Sequence, residues 1–510
     1  MRSFYDEAQK NLINSGLFDP DWYSATYPDV GMSGVPPHEH FLRIGRRLGR
    51  HGSLAAATAY SGERSEQAQV VVEAPKPETS LIPEGLSSLI RRSRLFDEQW
   101  YLNTYRSLIR HRSDLVGDYI TAFEADSNRD PGPLFSTSDY LEFNPDVRGM
   151  HPLLHLVEHG MAEGRPAFSA RKVNDFLRRA DHGKVAPLAD LISKDRHTTV
   201  VSWKDGNFFF GEIGAYAATY LQSLGFPAEY DTKPSRGTLA SDNLIVVAPH
   251  EFCVYGPGKD WPAEVLARAV YLNTEQWQTS WFTLTYNAAL KSGKMLDMNP
   301  TSAAGFAELG FTCGFVPLLP LEGSCFSHED KPLSSSITRG KWVKDLSYPD
   351  ELKDRPYDLL FVGVQNKRRA EGIASLAHVL QAYDCFMHIP VFGGPVRAND
   401  PDMVSNSDLS QLARNSKILL NIHQGEAEYF EWHRLFLSGI MEGAVVVTEP
   451  CLPTGIVFPD EHYIEAELED MPSLLDHLLG TEEGHQKLSR IHQNCLELRS
   501  EILSGGKLFK

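Results

Sequence analysis

The chain has 510 residues, 42% of them hydrophobic and 23% charged, long enough for several cores and too apolar on average to be mostly disordered. Its 67 acidic against 49 basic residues give a formal charge of -18, which would repel a polyphosphate backbone, so no nucleic-acid partner is expected. The six cysteines are scattered, without a CxxC pair or metal-ligand spacing, and read as reduced thiols rather than a disulfide or zinc framework.

From the start of the chain, Met1 to Gly16 mixes Asp6, Glu7 and Lys10 with its apolar residues, so it lacks the apolar run of a signal peptide. No stretch of about 18 apolar residues offers a membrane span. The expectation is a cytoplasmic protein without a transmembrane segment, with room for peripheral membrane contact. Three similar starts then follow. Phe18-Asp19-Pro20-Asp21-Trp22-Tyr23 leads to Tyr27-Pro28-Asp29-Val30, and Phe135 to Tyr140 leads to Asn144-Pro145-Asp146-Val147. Phe96-Asp97-Glu98-Gln99-Trp100-Tyr101 begins the same way and then loses its Pro-Asp-Val. Each reads as a pair of short helices, an Asp or Ser capping the first and aromatic residues filling the seam. Packing modules are the simpler reading and carbohydrate binding the alternative. The units are expected at 1–50 and, as a pair, at 87–170. Residues 51–86, rich in Ala, Ser, Glu and Pro and without apolar period, read as a flexible linker.

From about residue 197, short apolar runs alternate with helical patterns, the signature of α/β with parallel sheets and crossover helices. Strands are expected at Thr198–Trp203, Asn243–Ala248, Leu359–Gly363, Ile418–Ile422 and Ala444–Thr448. Helices are expected at Glu212–Leu224 and around Arg369–Ala382 and Tyr429–Glu442. Two Rossmann-like domains, 171–340 and 341–510, joined near residues 325 to 355, account for the pattern.

Chemistry concentrates in Asn421 to Pro450. Trp432, Leu435, Phe436, Gly439 and Ile440 form one apolar helical face, leaving Glu431, Arg434 and Ser438 on another. A helix start directly after a strand aims its amides at the carboxyl edge of the sheet, a ready anion site. Phe361 to Arg369 reads as strand, turn and basic helix start; Lys367 and Arg368 there suit contact with a phosphate, whereas a merely decorative basic start would oppose the helix dipole. His423 and His433 bracket the same region. In the first half, Glu212 opens a helix and His250-Glu251 ends a strand, where either carboxylate or the imidazole is able to deprotonate a hydroxyl.

On these residues the region from about 197 to 490 resembles GT-B glycosyltransferases, particularly the spore-maturation (CgeB-type) branch, in which a glutamate-bearing helix precedes a Gly and an apolar strand. The resemblance implies that Glu428 and Glu431 contact donor hydroxyls. Ser438 stands where the second glutamate of the branch's E-x7-E pattern would fall. It also implies that Gly363, Lys367 and Arg368, with His423, His433 and Arg434, hold the diphosphate without a metal. Glu275-Gln276 and Asp297-Met298-Asn299 resemble cleft-lining segments of the same branch. The implied activity is transfer of a sugar from a nucleotide-diphosphate sugar, of UDP or GDP type, to a hydroxyl of a glycan, lipid-linked or protein acceptor, in surface polysaccharide or glycoconjugate synthesis. The nucleotide sugar is the substrate and no cofactor is expected. His250, Glu251 and Glu212 are the catalytic candidates. A non-catalytic glycan-binding scaffold and a nucleotide-sugar epimerase are the alternatives.

Overall fold

A computed structural model of the chain describes residues 18–27, 30, 36–41, 50, 52–53, 82–124, 128–234, 236–324, 326, 333, 343, 346–392, 394, 396–397 and 400–504. Residues 54–81 of the expected linker, Cys325 and most of the expected join near 325 to 355 lie outside them. The chain divides into two compact units, Met1–Lys172 and Val173–Lys510.

In the first unit, helices α1 (Pro20–Thr26), α2 (Glu98–Thr104) and α3 (Thr137–Phe143) begin at the three similar sequence starts. The side chains of Asp19, Asp97 and Ser136 accept backbone N–H bonds from the first turns, satisfying donors that a helix start leaves orphaned. Each helix buries one tyrosine against the preceding phenylalanine, with ring centroids 5.3 Å apart for Phe18–Tyr23 and Phe96–Tyr101 and 5.4 Å for Phe135–Tyr140. A buried phenol needs a partner. Tyr23 meets His40 Nδ1 at 3.2 Å, Tyr101 donates to Asp118 at 3.1 Å, and Tyr140 meets His155 Nδ1 at 2.8 Å. The chain then returns to the helix start, where Asp19 N–H donates to Gly52 O at 2.8 Å and Asp97 N–H to Pro131 O at 3.0 Å.

The second unit carries two all-parallel sheets. Strands β1 (Thr198–Val201), β2 (Ala228–Asp231), β3 (Asn243–Val247), β4 (Val270–Asn273), β5 (Lys294–Asp297) and β6 (Thr312–Phe315) line up in the order β2-β1-β3-β4-β5-β6. Strands β7 (Tyr357–Val362), β8 (Cys385–His388), β9 (Ser416–Asn421), β10 (Val445–Thr448) and β11 (Tyr463–Glu465) follow in the order β11-β10-β9-β7-β8. Both are doubly wound α/β sheets of the Rossmann-like kind. Central strands such as β1 and β10 are buried along their whole length, so they read as continuous Thr/Val runs rather than alternating ones. In each sheet the strand order reverses once, between β1 and β3 and between β7 and β9. The crevice outside the carboxyl ends at such a reversal is where open α/β sheets bind ligands.

Two helices depart from expectation. The one expected from Glu212 runs over Phe208–Ser223 (α4), capped by Asn207, so Glu212 lies inside it rather than at its start. The one expected from Tyr429 begins only at Trp432 and is π-helical to Gly439, continuing as a 3-10 turn over Ile440–Glu442. The residues before it spend their backbone groups on tertiary bonds. Asn174 Oδ1 accepts Glu428 N–H at 3.0 Å, Leu452 N–H donates to Glu428 O at 2.6 Å, and Asn299 Nδ2 donates to Phe430 O at 3.0 Å. Its apolar face is as expected: Trp432, Leu435, Phe436, Gly439 and Ile440 are buried, with Trp432 stacked on Phe436 at 4.3 Å. Helix α5 (Ser280–Ser292) follows β4, and α6 (Lys367–Ser375) follows β7.

Candidate functional site

In the first sheet, the loops after β1, β3 and β4 converge at the strand-order reversal. Ala248 takes the left-handed conformation, φ 50°, costly for a residue with a Cβ, and turns β3 into the short helix Pro249–Phe252. That helix presents His250 and Glu251. A Glu251 carboxylate oxygen accepts the N–H of Asn207 at 2.9 Å, and a Cβ at Gly206 would displace that same oxygen. His250 Nδ1 lies 3.3 Å from Thr285 Oγ1 and Nε2 lies 3.4 Å from Glu275 Oε1. Burial pulls the imidazole down to about 3. Burial, reinforced by the Glu251 carboxylate, pushes Glu275 up to about 8. At neutral pH the His250–Glu275 contact therefore carries no net charge. Glu212 accepts from Asn406 Nδ2 of the second half at 2.8 Å, and burial raises it to about 7. Asp297 is occupied internally, accepting from Asn273 at 2.8 Å, from Ser302 at 2.5 Å and from Asn299 N–H at 2.8 Å.

In the second sheet, the loops after β7, β9 and β10 bring together three arginines and two glutamates. Arg368 forms a two-pronged pair with Glu449 and also donates to His423 O at 3.0 Å. Glu449 further accepts the His423 N–H at 2.7 Å. Arg369 is buried and donates through Nε to Ile422 O at 2.8 Å, with NH2 3.5 Å from a Glu431 oxygen. Glu431's other oxygen lies 3.2 Å from Arg434 NH1. Burial alone would raise the Glu431 carboxyl, yet the Arg434 and Arg369 guanidinium groups hold it at about 2. Burial keeps His433 down at about 4 and lowers His423 as well, so neither imidazole adds charge at neutral pH. The cluster thus holds one positive charge more than it neutralises, and the buried Nε of Arg434 has no hydrogen-bond partner.

The sequence-derived candidates are distributed unevenly in this geometry. Arg434, Glu431, His423 and Arg368 share the cluster. Gly363 directly follows β7 beside it, where a Cβ would sit 3.4 Å from Arg369 NH1. Lys367 instead points to solvent, its side chain 90% exposed and 3.8 Å from Glu371 one helical turn on. Glu428 pairs with Arg178 rather than entering the cluster. Glu431 was expected in a first helical turn facing the cleft; it is the residue before the helix, and its carboxylate is buried between arginines. Arg369 carries no sequence signal beyond its place in a basic helix start. A signal for Glu449 exists, since it directly follows the buried strand β10 and so sits at the sheet's carboxyl edge. Among the described residues no group of three or more His, Cys, Asp or Glu side chains is placed to hold a metal ion, and no helix is long and apolar enough to cross a membrane.

No protein-family model and no curated protein matches the sequence. Among solved structures, Anabaena HepE in complex with UDP-glucose is similar at 10% identity and a TM-score of 0.36, over 61% of this chain and 98% of that one. The glycosyltransferase SnogD from Streptomyces nogalater is 15% identical, TM-score 0.28, over 61% and 96% of the two chains. An alpha1,3-fucosyltransferase is 11% identical, TM-score 0.32, over 65% and 97%. Likeness this distant supports no inference about activity, which rests on the chain's own residues.

Proposed function

We propose that the chain is a glycosyltransferase of the GT-B kind, moving a sugar from a UDP- or GDP-type nucleotide sugar to a hydroxyl acceptor without a metal. One observation carries this reading: the surplus of buried positive charge in the Arg368, Arg369 and Arg434 cluster, with Arg434 Nε unsatisfied, at the strand-order reversal of the second sheet. Two arginines that share one carboxylate, with a buried N–H left unbonded, are costly, and an anion of diphosphate chemistry relieves that cost.

In the reaction, the acceptor oxygen forms a bond to the anomeric carbon. The bond from that carbon to the diphosphate oxygen breaks, its electron pair leaving on the diphosphate, whose growing charge the arginines stabilise. The acceptor's proton passes to a first-half group, His250, Glu251 or Glu212; burial raises both carboxylates and makes them stronger bases than His250, whose basicity burial lowers.

Calorimetry with UDP, GDP and uridine tests the donor site. Arg434→Ala is expected to weaken diphosphate binding by about one to two powers of ten while leaving uridine unchanged, as a charge-assisted contact would. Lys367→Ala, fully solvated, is expected to change it by less than about twofold. Equal losses for uridine and UDP would place the diphosphate elsewhere. No binding of any nucleotide to the wild type would favour a non-catalytic scaffold.

A further inference from the structure

The first half carries a feature that the proton-accepting role does not use. Trp281, in the first turn of α5, is 46% exposed, and Tyr255 is 52% exposed. No other tryptophan among the described residues is exposed. The two rings meet edge-on with centroids 6.0 Å apart, and Trp281 lies 5.7 Å from the His250 ring. Two large aromatic faces left in water side by side forgo burial that would otherwise stabilise the fold, which is the signature of a surface kept for a ligand. The border of this ledge is polar in a particular way. His250 Nε2 lies 3.4 Å from Glu275 Oε1. In the same loop as Glu275, Thr274 Oγ1 and Gln278 Oε1 are buried without a hydrogen-bond partner. An imidazole and a carboxyl beside an aromatic face bond hydroxyl groups well.

From this juxtaposition, and resting on the glycosyltransferase reading above, we infer that the Trp281–Tyr255 ledge is the acceptor subsite and that its occupant is an uncharged pyranose. Such a ring has an apolar face of C–H groups that covers an indole and a rim of hydroxyls that reaches polar neighbours, so one sugar satisfies both halves of the observation. The ledge sets the acceptor beside His250 and Glu275, close to where its hydroxyl proton must go. A bare alkyl chain would cover the rings but make no use of the polar His250 and Glu275 groups beside them.

The test uses the full-length protein, saturation-transfer NMR and a panel of probes: methyl glycosides of both anomers of glucose, galactose, mannose and N-acetylglucosamine, with cellobiose and maltotriose. At least one glycoside is expected to bind the wild type in the millimolar range, its saturated protons lying on one C–H face. Trp281→Ala should weaken that binding about tenfold or more and Tyr255→Ala about threefold. Trp281→Phe should restore part of the loss, and UDP affinity and melting temperature should stay unchanged throughout. Binding of the whole panel that is indifferent to Trp281, or absent while UDP still binds, overturns the acceptor assignment and leaves the donor reading standing. Glycoside binding that depends on Trp281 in a protein that binds no nucleotide sustains the pyranose site and overturns the transferase reading instead.

Discussion

Glu431→Gln separates a carboxylate that recognises donor hydroxyls from one that holds two buried arginines together. The substitution keeps the shape and removes the charge that faces Arg369 at 3.5 Å and Arg434 at 3.2 Å. A carboxyl held at about 2 instead of 4.5 contributes about 3 kcal/mol of folding free energy at neutral pH, in line with the 3–5 kcal/mol typical of stripping one partner from a buried ion pair. A carboxylate that merely faced the helix dipole would contribute about 0.3–1 kcal/mol. Because the folded pKa is depressed, the contribution is fully present above pH 4.5 and is lost as pH falls toward 2. The variant should therefore melt about 4 °C below wild type across pH 6 to 8, with the gap narrowing in acid. Thermal unfolding followed by circular dichroism reads this directly. Repeating Glu431→Gln in an Arg369→Gln background should shrink the loss by about 1 kcal/mol or more, since much of the cost lies in stranding the arginines. A melting temperature within about 1 °C of wild type at pH 7, or additive losses in the double variant, would refute the ion-pair reasoning.

Glu275→Gln should behave in the opposite sense. Its folded pKa is raised to about 8, so the wild type's advantage is fully present below pH 4.5 and drains away as pH rises to 8; the variant should gain on wild type in melting scans from pH 5 to 8, and a constant difference would sink the assignment. Gly160→Ala places a Cβ into the hydroxyl of Tyr140, which meets the buried His155, and should destabilise the first unit by about 1–3 kcal/mol. Gly85→Ala, in the helix Glu84–Arg92 with open space around the new methyl group, should instead stabilise by up to about 1 kcal/mol; equal effects in full-chain unfolding would show that packing at Gly160 is not the cause. Limited proteolysis is expected to cut first in the stretch 51–86 that composition reads as a linker, and a fragment of residues 173–510 to fold and retain UDP binding. First cuts within the sheets, or an unfolded fragment, would contradict that division.

Much of the architecture was legible in local pattern. The Thr/Val runs at 198–201 and 445–448, the apolar helical face from Trp432 to Ile440, and the capping residues Asp19, Asp97 and Ser136 each declare their state through nearest neighbours, because strand burial, helical period and helix-start donors are local properties. The sequence alone also marked Phe361–Arg369 and Asn421–Pro450, which the fold brings together, since a polar residue just after a buried strand must stand at the sheet's carboxyl edge. Which of those residues faces which was a tertiary decision. Three consecutive basic residues look alike in a string, yet the register of α6 sends Lys367 to solvent, Arg368 to Glu449 and Arg369 to Glu431. The start of the helix after β9 is likewise set by the tertiary structure: Asn174, Asn299 and Leu452, distant in sequence, take backbone groups of Glu428 and Phe430 just ahead of it. Long-range hydrogen bonds outbid local propensity there, and only the folded chain brings their two ends together.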